Sequence, residues 1–149
     1  MAKSPRIIID TNVFYSSIFY PRGNERKLFE LADEGKLEII IMDYVLDEIQ
    51  EVLRRNQIDT GLVIDLLDTY QNIHFMELSE IDYRKYESEA CENVRDIKDW
   101  PIYIFCLVHL TNDENTYLVS GDKDLQTDVV KKVLKNRVLR TKDVVKRFR

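Results

Sequence analysis

Four carboxylates stand where a fold could bring them together. Asp10 follows Ile7-Ile8-Ile9, Glu48 lies in the segment Tyr44 to Arg55, Asp99 precedes Trp100-Pro101, and Asp122 follows Ser120-Gly121. A carboxylate directly after an apolar run is costly to bury unless it is paired or bound to a metal. Converging carboxylates repel one another and raise at least some pKa values, a penalty that divalent cations remove. An all-oxygen, acid-rich set suits a hard ion such as Mg²⁺ or Mn²⁺ rather than Zn²⁺. The chemistry such a site supports is metal-assisted attack on a phosphodiester, in which the ions generate hydroxide and stabilise charge on the scissile phosphate and the leaving oxygen. No rival catalytic set is visible: there is no Gly-rich phosphate loop and no motif for a Ser/His/Asp or Cys/His arrangement. His74, in a strand-like run, and His109, in an apolar helix, read as structural.

Each acid also has a structural explanation. Asp99 can cap the helix that follows it. Asp122 and Asp124 can serve a turn and the next cap. A helical Glu such as Glu48 is usually a surface residue. Asp10 is the hardest to explain that way.

The elements that must position these acids follow from periodicity and punctuation. Arg6 to Asp10 reads as a short buried strand, and Thr11 can cap a helix to Phe19 that Pro21-Arg22-Gly23 breaks. Asn24 to Glu34 is helical, with Gly35 as its stop. Leu37 to Met42 is a second buried strand, and Asp43 can cap a helix from Tyr44 to Arg55. On that helix Val45, Leu46, Ile49, Val52 and Leu53 form one apolar stripe. Glu48 flanks the stripe, Asp47 points away and Glu51 lies further round. Another amphipathic helix covers about Gly61 to Tyr70, and Ile73 to Leu78 is a weaker strand. Ser79 with Asp82 suggests a capping-box start for a helix to about Glu92. Asn93 to Trp100 is a polar loop, and Pro101 suits the first turn of a helix that is apolar nearly all round and should be buried. Thr116 to Ser120 is a strand, a short helix spans about Leu125 to Leu134, Arg137 to Leu139 is a last strand, and Thr141 caps a terminal helix. This alternation favours an α/β fold with a mostly parallel central sheet and helices on both faces. Ligands then bind beyond the carboxyl ends of the strands, where Asp10 and Asp122 both emerge.

A chain of 149 residues fits one domain, residues 1–149, with no repeat, linker or low-complexity tract. It is 44% hydrophobic and 33% charged, with 4 Gly and 3 Pro, which argues for a solvated globular body. No apolar run is long enough for a membrane span, and Met1 to Arg6 does not open a signal peptide. Cys91 and Cys106 form no paired motif, so a cytoplasmic location is expected. The net charge is −5, unevenly spread. Val129 to Arg149 carries nine Lys or Arg against one acid, Asp143, whereas Met1 to Asp128 carries 13 basic and 26 acidic residues. The basic end is either a solvated helix face or a surface for a phosphate backbone or an acidic partner.

Taken in order, Ile7-Ile8-Ile9-Asp10-Thr11-Asn12-Val13-Phe14, then Leu46-Asp47-Glu48-Ile49, then Val94-Arg95-Asp96-Ile97-Lys98-Asp99, then Tyr117-Leu118-Val119-Ser120-Gly121-Asp122-Lys123-Asp124-Leu125 resemble a PIN domain. The likeness runs from Arg6 to about Phe148 and is to single-domain bacterial PIN proteins, many of them toxins of VapBC-type toxin–antitoxin pairs. It implies a three-layer α/β/α sandwich and a Mg²⁺- or Mn²⁺-dependent endoribonuclease acting on RNA. It also implies a homodimer and an antitoxin protein that occludes the site. Residue by residue, Asp10, Glu48, Asp99 and Asp122 match the acidic metal-binding set. Asn12 matches the polar residue that supports the first Asp, Ser120 stands where Thr is frequent, and Asp96 and Asp124 match secondary acids. The chain departs from the pattern at Trp100, Ile104, Phe105 and Leu107, which are bulky where small residues are usual. Its acidity is unusual for an RNA enzyme, whose affinity normally rests on Lys and Arg. Bound metals and the basic C-terminal stretch are expected to compensate, with help from Arg22, Arg26 and Lys27 near the presumed edge.

Two other classes compete. A haloacid-dehalogenase-like phosphatase also uses an Asp after the first strand, but needs a second Asp where this chain has Asn12, and the chain is short for that fold. A catalytically silent RNA- or protein-binding module would use the acids only for structure.

Overall fold

The computed structural model describes residues 4–149; Met1 to Lys3, part of the segment expected not to open a signal peptide, lie outside the described residues. The elements run β1 (Arg6–Ile9), α1 (Thr11–Phe19), α2 (Asn24–Asp33), β2 (Glu38–Met42), α3 (Asp43–Arg55), α4 (Gly61–Thr69), β3 (Ile73–Met76), α5 (Glu87–Asn93), α6 (Trp100–Asn112), β4 (Thr116–Val119), α7 (Asp128–Val133), β5 (Val138–Leu139) and α8 (Thr141–Phe148). The five strands form one sheet in the order β3-β2-β1-β4-β5, and every pairing is parallel. Helices cover both faces, giving a three-layer α/β/α sandwich. The three middle strands show this directly: Ile7, Ile8 and Ile9 of β1, Ile39 to Met42 of β2, and Thr116 to Val119 of β4 are all buried. A strand sealed on both sides needs a continuous apolar run, which is why the isoleucine triplets read clearly in the sequence.

The strand order fixes where a ligand goes. From β1 the chain steps outward to β2 and β3, then returns to add β4 and β5 on the other side of β1. The switch lies between β1 and β4, and a crevice opens there beyond the carboxyl ends. Ile9 pairs with Val119, so the next residues, Asp10 and Ser120, leave the sheet side by side.

Several local expectations are corrected by packing. Thr11 does not cap α1: Asp10 does, its Oδ1 accepting from Val13 N at 2.9 Å. Asp43 is the first residue of α3 rather than its cap, and its Oδ1 accepts from Tyr44 N and from Leu78 N, tying α3 to the end of β3. The helix expected from Ser79 is broken into two 3-10 turns, Leu78–Glu80 and Tyr83–Tyr86, before α5 begins at Glu87. Ile81 and Asp82 fall between them, so the capping box never closes. Likewise a 3-10 turn over Lys123–Leu125 precedes α7, whose cap is Thr127. Thr141 is the buried first residue of α8, and Arg140 takes the cap position. Gly35 does end α2, in the left-handed region at φ 78°.

Ile104 and Phe105 of α6 are buried in the core, and Trp100 and Tyr103 reach residues of α5 and its end. Tyr103 is fully buried, its hydroxyl accepting from Asn93 Nδ2 at 2.9 Å and facing Glu89 Oε2 at 3.3 Å. Trp100 Nε1 donates to Val94 O at 2.8 Å. No helix among the described residues is long and apolar enough to cross a membrane.

Arg137 joins the end of α6 to the β4–β5 pair. Its guanidinium donates to Asp113 O at 2.5 Å, to Thr116 O at 3.2 Å and to Leu110 O. A planar fork serves three carbonyls in a way an ammonium cannot. Arg137→Met should therefore destabilise the protein by about 2 kcal/mol, and Arg137→Lys should recover little of it. Urea unfolding checks this, and an unchanged midpoint in both variants refutes it.

Candidate metal centre

Asp10 ends the central strand with 3% of its surface exposed. One carboxylate oxygen takes the Val13 N–H and the other takes the Ser120 hydroxyl. Those two donors favour the charged form, yet burial outweighs them and, with Asp122 and Glu48 nearby, lifts its pKa to about 6. Ser120 is itself fixed: its hydroxyl accepts from Asp122 N at 3.0 Å and its carbonyl accepts from Gln126 Nε2 at 2.6 Å. One serine thus couples the acid after β1 to the turn after β4. Beneath Asp10 the Cys106 thiol is wholly buried, and its pKa is raised by burial and by the Asp10 charge.

Glu48 reaches the same edge from α3, half-buried on the flank of the apolar stripe. Thr11 holds it, donating to Oε1 at 2.6 Å. Reading Thr11 as a cap conceals this partner, because the link spans 37 residues of sequence. Tyr44, one turn before Glu48, is a further member that its sequence position does not reveal. Its hydroxyl donates to Lys98 O at 2.9 Å, and burial, Glu48 and Asp99 push its pKa up to about 12.

Asp99 arrives on a 3-10 turn, Ile97–Asp99, just ahead of α6. It occupies the cap position of α6, but its side chain makes no capping bond. Its Oδ2 is the one buried side-chain oxygen or nitrogen among the described residues that lacks a hydrogen-bond partner. Burial, then Asp122, then Asp96 and Asp10 raise its pKa to about 8. Helix capping therefore does not account for Asp99. Asp122 does serve its turn, its Oδ1 accepting from Asp124 N at 2.8 Å, but it also lies against Asp99.

The two secondary acids close the cluster. Oxygens of Asp96, Asp99 and Asp124 lie within 4.8 Å of one another. Asp96 also caps the 3-10 turn through Lys98 N at 3.0 Å, and Arg95, 88% exposed, reaches Asp124 at 3.3 Å. Among the described residues only Asp96, Asp99 and Asp124 gather that closely as a group of three, while Asp122 and Glu48 act on Asp10 through their charge, as Asp122 and Asp10 do on Asp99. An all-carboxylate set with an unpartnered buried oxygen fits a hard divalent cation.

Other expectations divide. Asn12 is exposed at the rim, and both Asp10 oxygens are already engaged by Val13 and Ser120, so the support expected of Asn12 falls to Ser120. Arg22 and Lys27 are exposed, but Arg26 is spent on structure, donating to Ser17 O at 2.6 Å and Ile18 O at 3.2 Å at the end of α1. His74 pairs with Glu38 at 3.0 Å at the start of β2, the opposite edge of the sheet, and His109 packs on the Phe105 ring.

The fold is similar to that in the crystal structure of VapBC2 from Rickettsia felis bound to a DNA fragment from their promoter. The TM-score is 0.64 over 91% of this chain and 98% of that one, at 16% identity, a likeness of fold alone. No curated protein sequence is recognisably similar to the chain. A family model described as PIN domain matches residues 6–124, from the first residue of β1 through the last acid of the cluster. With that span and this acidic edge, the chain belongs to the PIN domain family.

Proposed function

We propose that this protein is a Mg²⁺- or Mn²⁺-dependent endoribonuclease, the toxin component of a toxin–antitoxin pair. The observation that carries the proposal is the unpartnered buried oxygen of Asp99, facing Asp122 at the switch point of the sheet. A structural carboxylate finds a donor; this one meets other carboxylates. Membership of the PIN domain family supports the nuclease reading. The VapBC-type resemblance supports an antitoxin partner, self-association as a homodimer and a cytoplasmic setting.

In this reading Asp10, Glu48, Asp99 and Asp122 hold the cation, with Asp96 and Asp124 beside them. A bound Mg²⁺ or Mn²⁺ supplies Lewis acidity toward a phosphodiester and an activated water. The chain supplies the rest. Ser120 and Val13 fix Asp10, Thr11 fixes Glu48, and Tyr44 fixes the turn that presents Asp99, so the carboxylates stay oriented while RNA binds.

Purified protein should cut a labelled RNA pool with Mn²⁺ or Mg²⁺ but not with EDTA, and Asp10→Asn should fall to the EDTA background. Full cutting by Asp10→Asn sinks the metal-site assignment. A folded parent that binds RNA and never cuts points instead to the silent module.

Ser120→Ala removes the donor to Asp10 and the acceptor for Asp122 N. Mn²⁺ affinity by calorimetry should drop roughly 10- to 100-fold, with Ser120→Thr restoring it. Equal affinity in all three proteins contradicts the role given to Ser120.

The pH response follows from Asp99. Its folded pKa, about 8, lies above its ordinary value of 3.8, so the native state binds more protons between those values and loses stability as pH rises through them. In EDTA, Asp99→Asn should match the parent near pH 4 and melt at a higher temperature at pH 8. Adding Mn²⁺ at pH 8 should reverse the order. Melting curves that stay parallel across pH, with or without Mn²⁺, rule this out.

A further inference from the structure

A groove of about 420 Å³ opens beside Asp10, between the starts of α1, α2 and α8. Asn12, Ser16, Asn24, Glu25, Arg140 and Lys142 line it. Its inner wall includes Val13, whose N–H binds Asp10, and Gly121, which lies between Ser120 and Asp122. The groove therefore continues directly from the acid centre. We propose that Arg140 and Lys142 hold a backbone phosphate of single-stranded RNA on one side of the bond to be cut, an inference that rests on the nuclease reading above.

Charge selects this groove. Arg140 and Lys142 are exposed, and among the described residues no acid or carbonyl engages either side chain. Two other cations of the basic C-terminal segment are occupied, Arg137 by three carbonyls and Arg147 by the rings of Tyr117 and Phe148, and the remaining ones do not line this groove. A second groove of about 480 Å³ flanks Glu48 on the α3 side and carries Arg55 and Lys98, but Asp47, Glu48 and Glu51 line it too. Three acids against two cations repel a polyanion there; two cations against one acid, Glu25, attract it beside α8. Asn12, Asn24 and Ser16 add neutral donors that suit phosphate and sugar oxygens. The groove thus positions the strand and leaves base selection to other contacts.

The test uses full-length Asp10→Asn protein, so that binding is read without cutting, and a labelled single-stranded RNA over a range of KCl concentrations. Two further double variants in that background remove equal charge: Arg140→Gln/Lys142→Gln in the groove, and Lys132→Gln/Lys135→Gln outside it. The groove pair should lower the slope of log K against log salt by roughly 0.7, the value for one phosphate no longer neutralised, and weaken binding at low salt roughly tenfold or more. The control pair should change neither, and Arg140→Lys/Lys142→Arg should keep the parent slope. Equal effects of the two pairs, or no measurable RNA binding by any protein, overturn the proposal. RNA affinity untouched by the groove pair also overturns it and leaves an acidic protein segment as the better occupant. Failure of the nuclease reading looks different: RNA still binds through Arg140 and Lys142, but the parent chain cuts nothing with Mn²⁺.

Discussion

A carboxylate buried at the end of the central strand governs this structure. Leaving Asp10 charged there is costly, and two neutral hydrogen bonds do not fully offset burial, since its pKa still rises to about 6. The surroundings are organised around that cost. The Val13 amide binds Asp10 because α1 starts immediately after it, so the residue that ends the strand also caps the helix. The Ser120 hydroxyl binds it because β4 pairs with β1 in a register that places Ser120 alongside. Shifting that register by one residue would point Ser120 to the other face and strand Asp10.

From this anchor the remaining acids are recruited by short elements rather than by long helices. Asp99 sits on a 3-10 turn, Asp122 at the head of another, and Asp124 within it. Such turns direct backbone N–H groups at the acids that cap them, as Lys98 N does for Asp96 and Asp124 N for Asp122. Asp99 alone gets no such donor on Oδ2. Asp99 Oδ2 is therefore the buried oxygen of the site left without a hydrogen bond, the arrangement expected when its partner is a cation supplied from solution.

How much of this was legible depends on whether the signal was local. The apolar triplets Ile7-Ile8-Ile9 and Ile39-Ile40-Ile41 declare buried parallel strands, and Glu48 on the flank of its stripe declares a residue facing inward. The first follows from unbroken apolar runs and the second from the 3.6-residue helical period, both of which the sequence carries. Thr11 holding Glu48, Tyr44 holding Lys98 O and Arg137 holding three carbonyls do not, because each pairs groups that only the finished fold brings together. The same limit explains Asn12. Two residues from Asp10 it looks like a supporter, but α1 turns it outward, while Ser120, 110 residues away, makes the contact. Ser79 with Asp82 failed for another reason: a local capping signal lost to the tie between Asp43 and Leu78, which bends the chain before a helix can start.

The acidic balance of the chain and its proposed polyanionic substrate are reconciled by placement. A net charge of −5 sets the distant field, which is screened within about 10 Å at ordinary salt. Inside that range the local arrangement decides. Much of the acid at the carboxyl edge is directed into one cluster where a divalent cation would neutralise it, and two exposed cations, Arg140 and Lys142, stand at the head of α8 in the groove on its rim. A phosphate backbone approaching along α8 thus meets positive charge before it meets the acids. One approaching along α3 meets Asp47 and Glu51 first. The asymmetry gives the edge a direction, which the net charge alone does not contain.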